Sequence, residues 1–311
     1  MVTRDELWLL GAERLLREQR LSHGTSTLRG TEIAAIDAPD DRLLAESERE
    51  IEAVRALLPC PPNPGVAARV VVSARRAGGE IMTEPLIALS YRSLAMVSTP
   101  GTLTADCQRL LRIGATNGEI DGDYRAFPIV WRHGSGAVLL HEAAGHPAEH
   151  GHAPIDWPPW LAVHDEPPFP VDDTARRTAV ADLLGGGRPS AMRRASFADV
   201  PLTRLSNVVA RQSSAPFELP RRRIEVLLVD AGRYEPLTET ISLYVSAADL
   251  VEGETSRRLR PFVIEESRQA VARALQGAGG APERYPGVIC SAEGQEVAVG
   301  SHAPLLLTRF R

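Results

Sequence analysis

Leu140-His141-Glu142-Ala143-Ala144-Gly145-His146-Pro147 sets two imidazoles around a carboxylate, directly behind the apolar run Val138-Leu139-Leu140. Zinc takes nitrogen or sulfur donors, and a hydrolytic zinc site also needs a base beside its water. His141 and His146 are the candidate donors and Glu142 the candidate base. The histidines lie five apart, not the four of the familiar zincin helix. On a regular α-helix, five residues turn the second side chain roughly 140° from the first, too far to share one ion. Gly145 tolerates an unwound or π-like turn, and Pro147 disfavours helical geometry at the residue before it. The expectation is a helix beginning near Ser135 or Gly136, with Val138 to Leu140 buried and His146 swinging back toward His141 as the helix ends. Two histidines alone hold a catalytic metal poorly. Without a third ligand the string reads equally as an amphipathic helix running into a histidine-rich loop with His150 and His152.

The bulk properties narrow the class. With 311 residues, 43% hydrophobic and 24% charged, the chain has the composition of a soluble globular protein with one large or two modest domains. A net charge of −5 argues against nucleic acid or an anionic membrane as the main partner. All 35 basic residues other than histidine are arginine, which carries no functional message. No segment is apolar for long enough to span a bilayer, and the polar N-terminus has no signal-like core. Three cysteines (Cys60, Cys107 and Cys290) make no complete disulfide framework. These features lead to the expectation of a reduced, cytoplasmic setting in which a cysteine can ligate metal as a thiolate.

Periodicity predicts a helix after Thr3 carrying Leu7, Leu10, Leu15 and Leu16, and a second over Asp41 to Leu58. Strands are expected at Arg69–Ser73, Leu86–Met96 and Leu103–Ile113, with a turn at Thr99–Thr102. The proline- and tryptophan-dense stretch from Pro154 to Pro170 reads as an ordered loop, and Gly185-Gly186-Gly187 as a tight turn. After Arg221 the pattern becomes β-rich, with strands at Ile224–Val229, Thr240–Val245 and Val288–Val299, and a helix over Pro261–Gln276 ended by Gly277. Helices and strands mix without a βαβ rhythm, so the class is α+β. The expected division is an N-terminal α/β region over 1–115, then a β-rich C-terminal domain over 116–311 that carries the metal-site helix.

Cys290 sits in Val288-Ile289-Cys290-Ser291-Ala292-Glu293-Gly294-Gln295-Glu296-Val297, a strand, a tight turn at Gly294 and a returning strand. A thiolate there can project into a pocket with little rotamer freedom. Several segments together resemble the TldD/PmbA family, in its metal-binding TldD-like half. His141, Glu142, Gly145, His146 and Glu149 match the family motif HExxGHxxE. Arg193–Phe197 and Pro201–Asn207 resemble a second block, Gly232–Thr238 and Ala248–Glu254 its C-terminal sheet, and Gly294, Gln295, Val297, Val299 and Gly300 its closing glycine-rich block. Gly101–Asp106 resembles an upstream strand. The region before His141 is far shorter than the family's, and Asp172-Asp173-Thr174 is a weak remnant of another block.

The resemblance implies a metallopeptidase in which His141, His146 and Cys290 hold one Zn2+ or another divalent ion, and Glu142 is the general base for hydrolysing short or unfolded peptides. It further implies a homodimer, or a heterodimer with a metal-free PmbA-like paralogue. The shortened segments leave a catalytically weak or inactive subunit or scaffold as the alternative. Glu149 is a candidate for orienting a ligand imidazole, or a plain surface carboxylate; Arg204 and Asn207 are candidates for binding substrate, or for shaping a turn. Tyr285 and His302 are weighed as oxyanion donors on their nearness to Cys290 in sequence alone.

Overall fold

The computed structural model describes residues 14–21, 31–33, 41–57, 66–77, 80–91, 94–98, 105–106, 109 and 113, then 118–311 except 168–171, 175, 196–198 and 214–217. Strands β1 (Arg14–Leu21), β2 (Thr31–Ile33), β3 (Val66–Ala77), β4 (Glu80–Tyr91) and β5 (Leu94–Ser98) form an antiparallel sheet in the order β2-β1-β3-β4-β5. Helix α1 (Asp41–Leu57) packs on it. The helix matches its expected span, and its buried Ile51 and Val54 lie three apart on one face.

Four expectations in this and the following region are corrected. Leu15 and Leu16 lie in β1 rather than a helix, because pairing along the whole of β3 outweighs local helical spacing. Leu7 and Leu10 lie outside the described residues, as do Thr99–Thr102 and Cys107. The span Leu86–Met96 is the end of β4 and most of β5, not one strand. Over Leu103–Ile113, residues 105, 106, 109 and 113 are helical rather than extended. Asp106 accepts from Arg109 one turn on and also pairs with Arg284, so ion pairing fixes a helical spacing that apolar content had obscured.

The larger sheet comprises β6 (Ile129–Trp131), β7 (Leu161–Asp165), β8 (Ala181–Asp182), β11 (Asn207–Gln212), β12 (Arg222–Glu235), β13 (Thr240–Glu252), β14 (Thr255–Arg258), β15 (Phe262–Ser267), β16 (Leu275–Ala292) and β17 (Gln295–Thr308); β9 (Ala191–Arg193) and β10 (Leu202–Arg204) make a separate ribbon. Its central order is β14-β13-β12-β6-β17-β11-β7-β8, with β15 on β13 and β16 on β17. Two of the junctions are parallel, β12 with β6 and β11 with β17. The chain is thus a mixed, sheet-rich fold.

The short strand β6 makes the geometry that matters. It pairs with β12 at Ile224–Val226 on one side and with β17 at Leu306–Thr308 on the other, then stops at Trp131. Beyond it β12 and the β16–β17 hairpin run on without a strand between them among the described residues, and the sheet forks. Trp131, fully buried, seals the junction by donating its indole N–H to Thr308. The chain then turns at Gly134, whose φ of +73° and contact with the Glu283 and Tyr285 backbone exclude a side chain, and sends a helix into the fork.

Two further expectations are corrected here. The loop read over Pro154–Pro170 contains β7, whose Leu161, Val163 and Asp165 alternate inward; flanking prolines had masked a period of two. The helix read over Pro261–Gln276 is strand β15 followed by α4 (Arg268–Ala274), with Ser267 as N-cap accepting from Ala270 N–H. Gly277 does not end a helix; it lies in β16 at a register shift.

Candidate metal centre

The helix in the fork has three parts: α2 (Gly136–Leu140), a π turn (His141–Gly145) and α3 (His146–Glu149). The backbone N–H of His146 donates to His141 O, the i→i+5 bond that defines a π turn. Residues five apart therefore stack, and the 140° problem disappears. The helix does not end at His146, as expected from Pro147, but runs one more turn with His146 at φ −60° and ψ −41°. Pro147 fits because it sits in the first turn of α3, where its missing donor is no loss. Gly145 has ordinary helical angles; glycine is required there because a Cβ would collide with the Leu205 side chain. The two imidazoles lie with ring centroids 4.7 Å apart and planes at 90°.

Cys290 reaches them from 144 residues away. It ends β16, and Glu293 and Gly294 take positive φ values of 49° and 78° to turn the chain into β17. Its Sγ lies 3.7 Å from His146 Nε2, and ligand atoms of His141, His146 and Cys290 are all within 4.8 Å of one another. Zinc–sulfur and zinc–nitrogen bonds of about 2.3 and 2.0 Å at a tetrahedral angle place N and S about 3.6 Å apart, so this spacing fits one shared ion.

The electrostatics agree with that fit. His141 is fully buried, and neither ring nitrogen has a hydrogen-bond partner. Burial, with the charges of His146 and Arg204, holds its pKa well below the usual imidazole value, leaving a neutral ring with a lone pair. An orphaned pair of buried polar atoms costs stability unless something binds there. For His146, burial opposes charging, but Cys290, Glu149 and Glu142 outweigh it and raise the pKa well above the usual value. A metal at this ring would displace that proton. Glu142, 2% exposed, has its Oε2 unpartnered and 3.6 Å from His146 Nε2. Burial raises its pKa to about 7, eased by His146 and reinforced by Glu149.

Glu149 is not a surface carboxylate: Oε2 lies 2.6 Å from His146 Nδ1, and Oε1 accepts from Leu205 N–H at 2.8 Å. Arg204, 1% exposed, donates to Cys290 O at 2.6 Å and to Gln295 O at 3.3 Å, with Nε 3.6 Å from Glu149. It clamps the cysteine hairpin to the helix, and its donors are spent on backbone rather than turned to the cavity. Asn207 lies apart from this cluster; its Oδ1 meets His302 Nδ1 at 3.2 Å.

A cavity of about 600 Å³ opens above the triad, between Val229–Pro236 of the β12 turn and Val288–Glu293 of the β16 turn. Arg204, Asn207 and His302 are absent from its walls, whereas Tyr285 is present but its hydroxyl is already paired with Val229. Two features had no prominence in the sequence. A Cβ on Gly232 would strike Glu142 Oε1, so this glycine lets β12 pass over the carboxylate; a glycine inside a strand was the available signal. Asp165, fully buried, accepts from Ser190 N–H and hydroxyl, Ser206 N–H and Asn207 N–H, and so holds the segment after Arg204; one aspartate among many gave no signal.

The backbone as a whole aligns with TldE from Thermococcus kodakarensis over 96% of this chain and 94% of that one, with a TM-score of 0.54 and 9% identity. The chain has a TldD/PmbA-like fold. A second structure, a putative modulator of DNA gyrase from Bacteroides thetaiotaomicron, aligns over 100% of this chain and 99% of that one at 11% identity and a TM-score of 0.49. No protein-family model and no curated protein matches the sequence. Among the described residues, no helix is long and apolar enough to cross a membrane.

Proposed function

We propose that the chain is a zinc-dependent metallopeptidase that hydrolyses short or unfolded peptides, with His141, His146 and Cys290 as metal ligands and Glu142 as general base. The observation that carries this reading is the buried, wholly unpartnered imidazole of His141, facing a thiolate and a second imidazole at ligand spacing beside an unpartnered carboxylate. A structural metal site has no use for that carboxylate. When bound, the ion supplies Lewis acidity, polarising the scissile carbonyl and acidifying the attacking water.

The chain's own residues do the rest. Glu142 takes the proton from water and returns it to the leaving amine, a role suited to a carboxyl group whose pKa lies near 7. Glu149 fixes the His146 ring by its Nδ1, and Arg204 fixes the carbonyl of Cys290. Arg204 thus serves as a positioning residue. β12 past Val229 has no strand partner on its cavity side among the described residues, so an extended peptide can lie along it by main-chain hydrogen bonds, independent of sequence. We also propose the division into units 1–115 and 116–311, a cytoplasmic setting, and dimerisation with a second copy or a PmbA-like paralogue.

Metal analysis combined with peptide cleavage by the wild type and Glu142→Ala tests the reading. The expected result is one metal ion per chain in both proteins and cleavage only in the wild type. Metal without cleavage in either protein makes the chain a non-catalytic subunit; no bound metal overturns the proposal.

A further inference from the structure

The cavity is closed at one end by Tyr285. Its side chain crosses the crotch of the fork, from β16 to β12, and its hydroxyl donates to Val229 O at 2.8 Å while accepting from Val229 N–H at 3.0 Å. Both edge groups of Val229 are thereby consumed, and no incoming strand can pair there. Behind Tyr285, the turn at Gly134 presses on the Glu283 and Tyr285 backbone with no room for a Cβ, and Val138 fills the floor at 2% exposure. The other end, toward Glu235 and Glu293, is open.

The reacting centre lies close to the closed end. Gly232 passes directly over Glu142, so the catalytic carboxylate is level with residue 232 of β12. Between that level and the Tyr285–Val229 plug lie Asp230 and Ala231, both in the cavity wall. Asp230 is near enough to Tyr285 for its charge to act on the phenol, which places a carboxylate at the blind end. At about 3.3 Å per extended residue, the interval from Asp230 to Gly232 holds roughly two substrate residues. The only guanidinium in the wall, Arg233, lies on the open side.

We infer that this site removes dipeptides from free N-termini, with the substrate's α-ammonium received by Asp230 and its advance stopped by Tyr285. The substrate runs in the same direction as β12, so that its second peptide bond lies at Glu142 and the remaining chain leaves past Glu235. Each turnover consumes one water: the C–N bond breaks, the carbonyl carbon gains the hydroxyl, and the departing amine gains the proton. This rests on the peptidase reading above. It adds a substrate class to it, and it explains why a cavity with an open strand edge needs a plug.

The zinc-loaded full chain is given a synthetic decapeptide with a free N-terminus, its N-acetylated form, its head-to-tail cyclic form, and a version extended by two residues at the N-terminus. Products are followed by mass spectrometry. The expected result is stepwise loss of dipeptides from the free peptide and a first cut that moves by two residues in the extended one. Acetylation should slow cleavage by about tenfold or more, the scale of one charge-assisted contact, and the cyclic form should survive. Asp230→Asn should bring the free and acetylated rates together while metal content is kept, a ratio that a merely structural residue would not change. Tyr285→Phe should scatter the first cut to positions further from the terminus. Cuts at a fixed internal sequence, or equal cleavage of the cyclic and linear forms, overturn this inference and leave the peptidase reading standing. Cleavage of none of the peptides overturns both.

Discussion

The two halves of the metal centre are built in opposite ways. The helix from Gly136 to Glu149 supplies His141, Glu142, His146 and Glu149 from ten consecutive positions, and all of α2 and the π turn is buried. The β16–β17 hairpin supplies one atom, Cys290 Sγ, from the end of a strand with three register shifts, its neighbour Ile289 41% exposed. Local hydrogen bonds shape the first half. Long-range contacts aim the second, chiefly the Arg204 guanidinium on Cys290 O. One half is preformed and the other is held in place, so a metal that joins them stabilises the hairpin more than the helix.

Perturbations should respect that division. The largest effect is expected from His141→Ala, which removes the ligand with no alternative partner: bound zinc measured by mass spectrometry should vanish, and chelator should no longer lower the melting temperature as it does in the wild type. Arg204→Met should come next. It leaves Glu149 without its cation and two backbone carbonyls without donors, so denaturant unfolding should show a loss of about 3 kcal/mol. If stability is unchanged, the hairpin is not held by this clamp. Glu149→Gln keeps the shape but weakens the grip on His146, and zinc affinity measured by chelator competition should fall about 10- to 100-fold. The smallest effect is expected from Gly145→Ala, where the new methyl meets Leu205 within the helix half; overpacking should cost about 1–3 kcal/mol in denaturant unfolding with metal stoichiometry retained.

The same division governed what the sequence revealed. The helix was readable because its information is local: a spacing of five, a glycine and a proline pointed to a π turn, although the reason for Gly145 proved to be Leu205 and the chain did not stop at His146. Cys290 was readable as a strand end because Gly294 marks the turn after it. The direction in which Arg204 points was not readable, since residue type announces an anion or carbonyl partner while only the tertiary fold says which one. Leu15 and Leu16 misled for the same reason, their strand being decided by β3 some fifty residues downstream. The Pro261–Gln276 span misled because an apolar run of this length suits either period, and Ser267 alone marked the boundary between them.

A π turn is what an α-helix becomes when a single residue is added without unwinding its flanks. Here it means that the five-residue interval between the imidazoles is a four-residue interval with one alanine inserted, the surplus absorbed as a local swelling. Removing Ala143 or Ala144 would return the pair to the spacing of the ordinary zinc-protease helix, but would swing Glu149 and the rest of α3 by a hundred degrees or so about the axis. Two unrelated-looking metal motifs are in this sense one indel apart, and what keeps this chain on its side of that boundary is the carboxylate that must still meet the second ring.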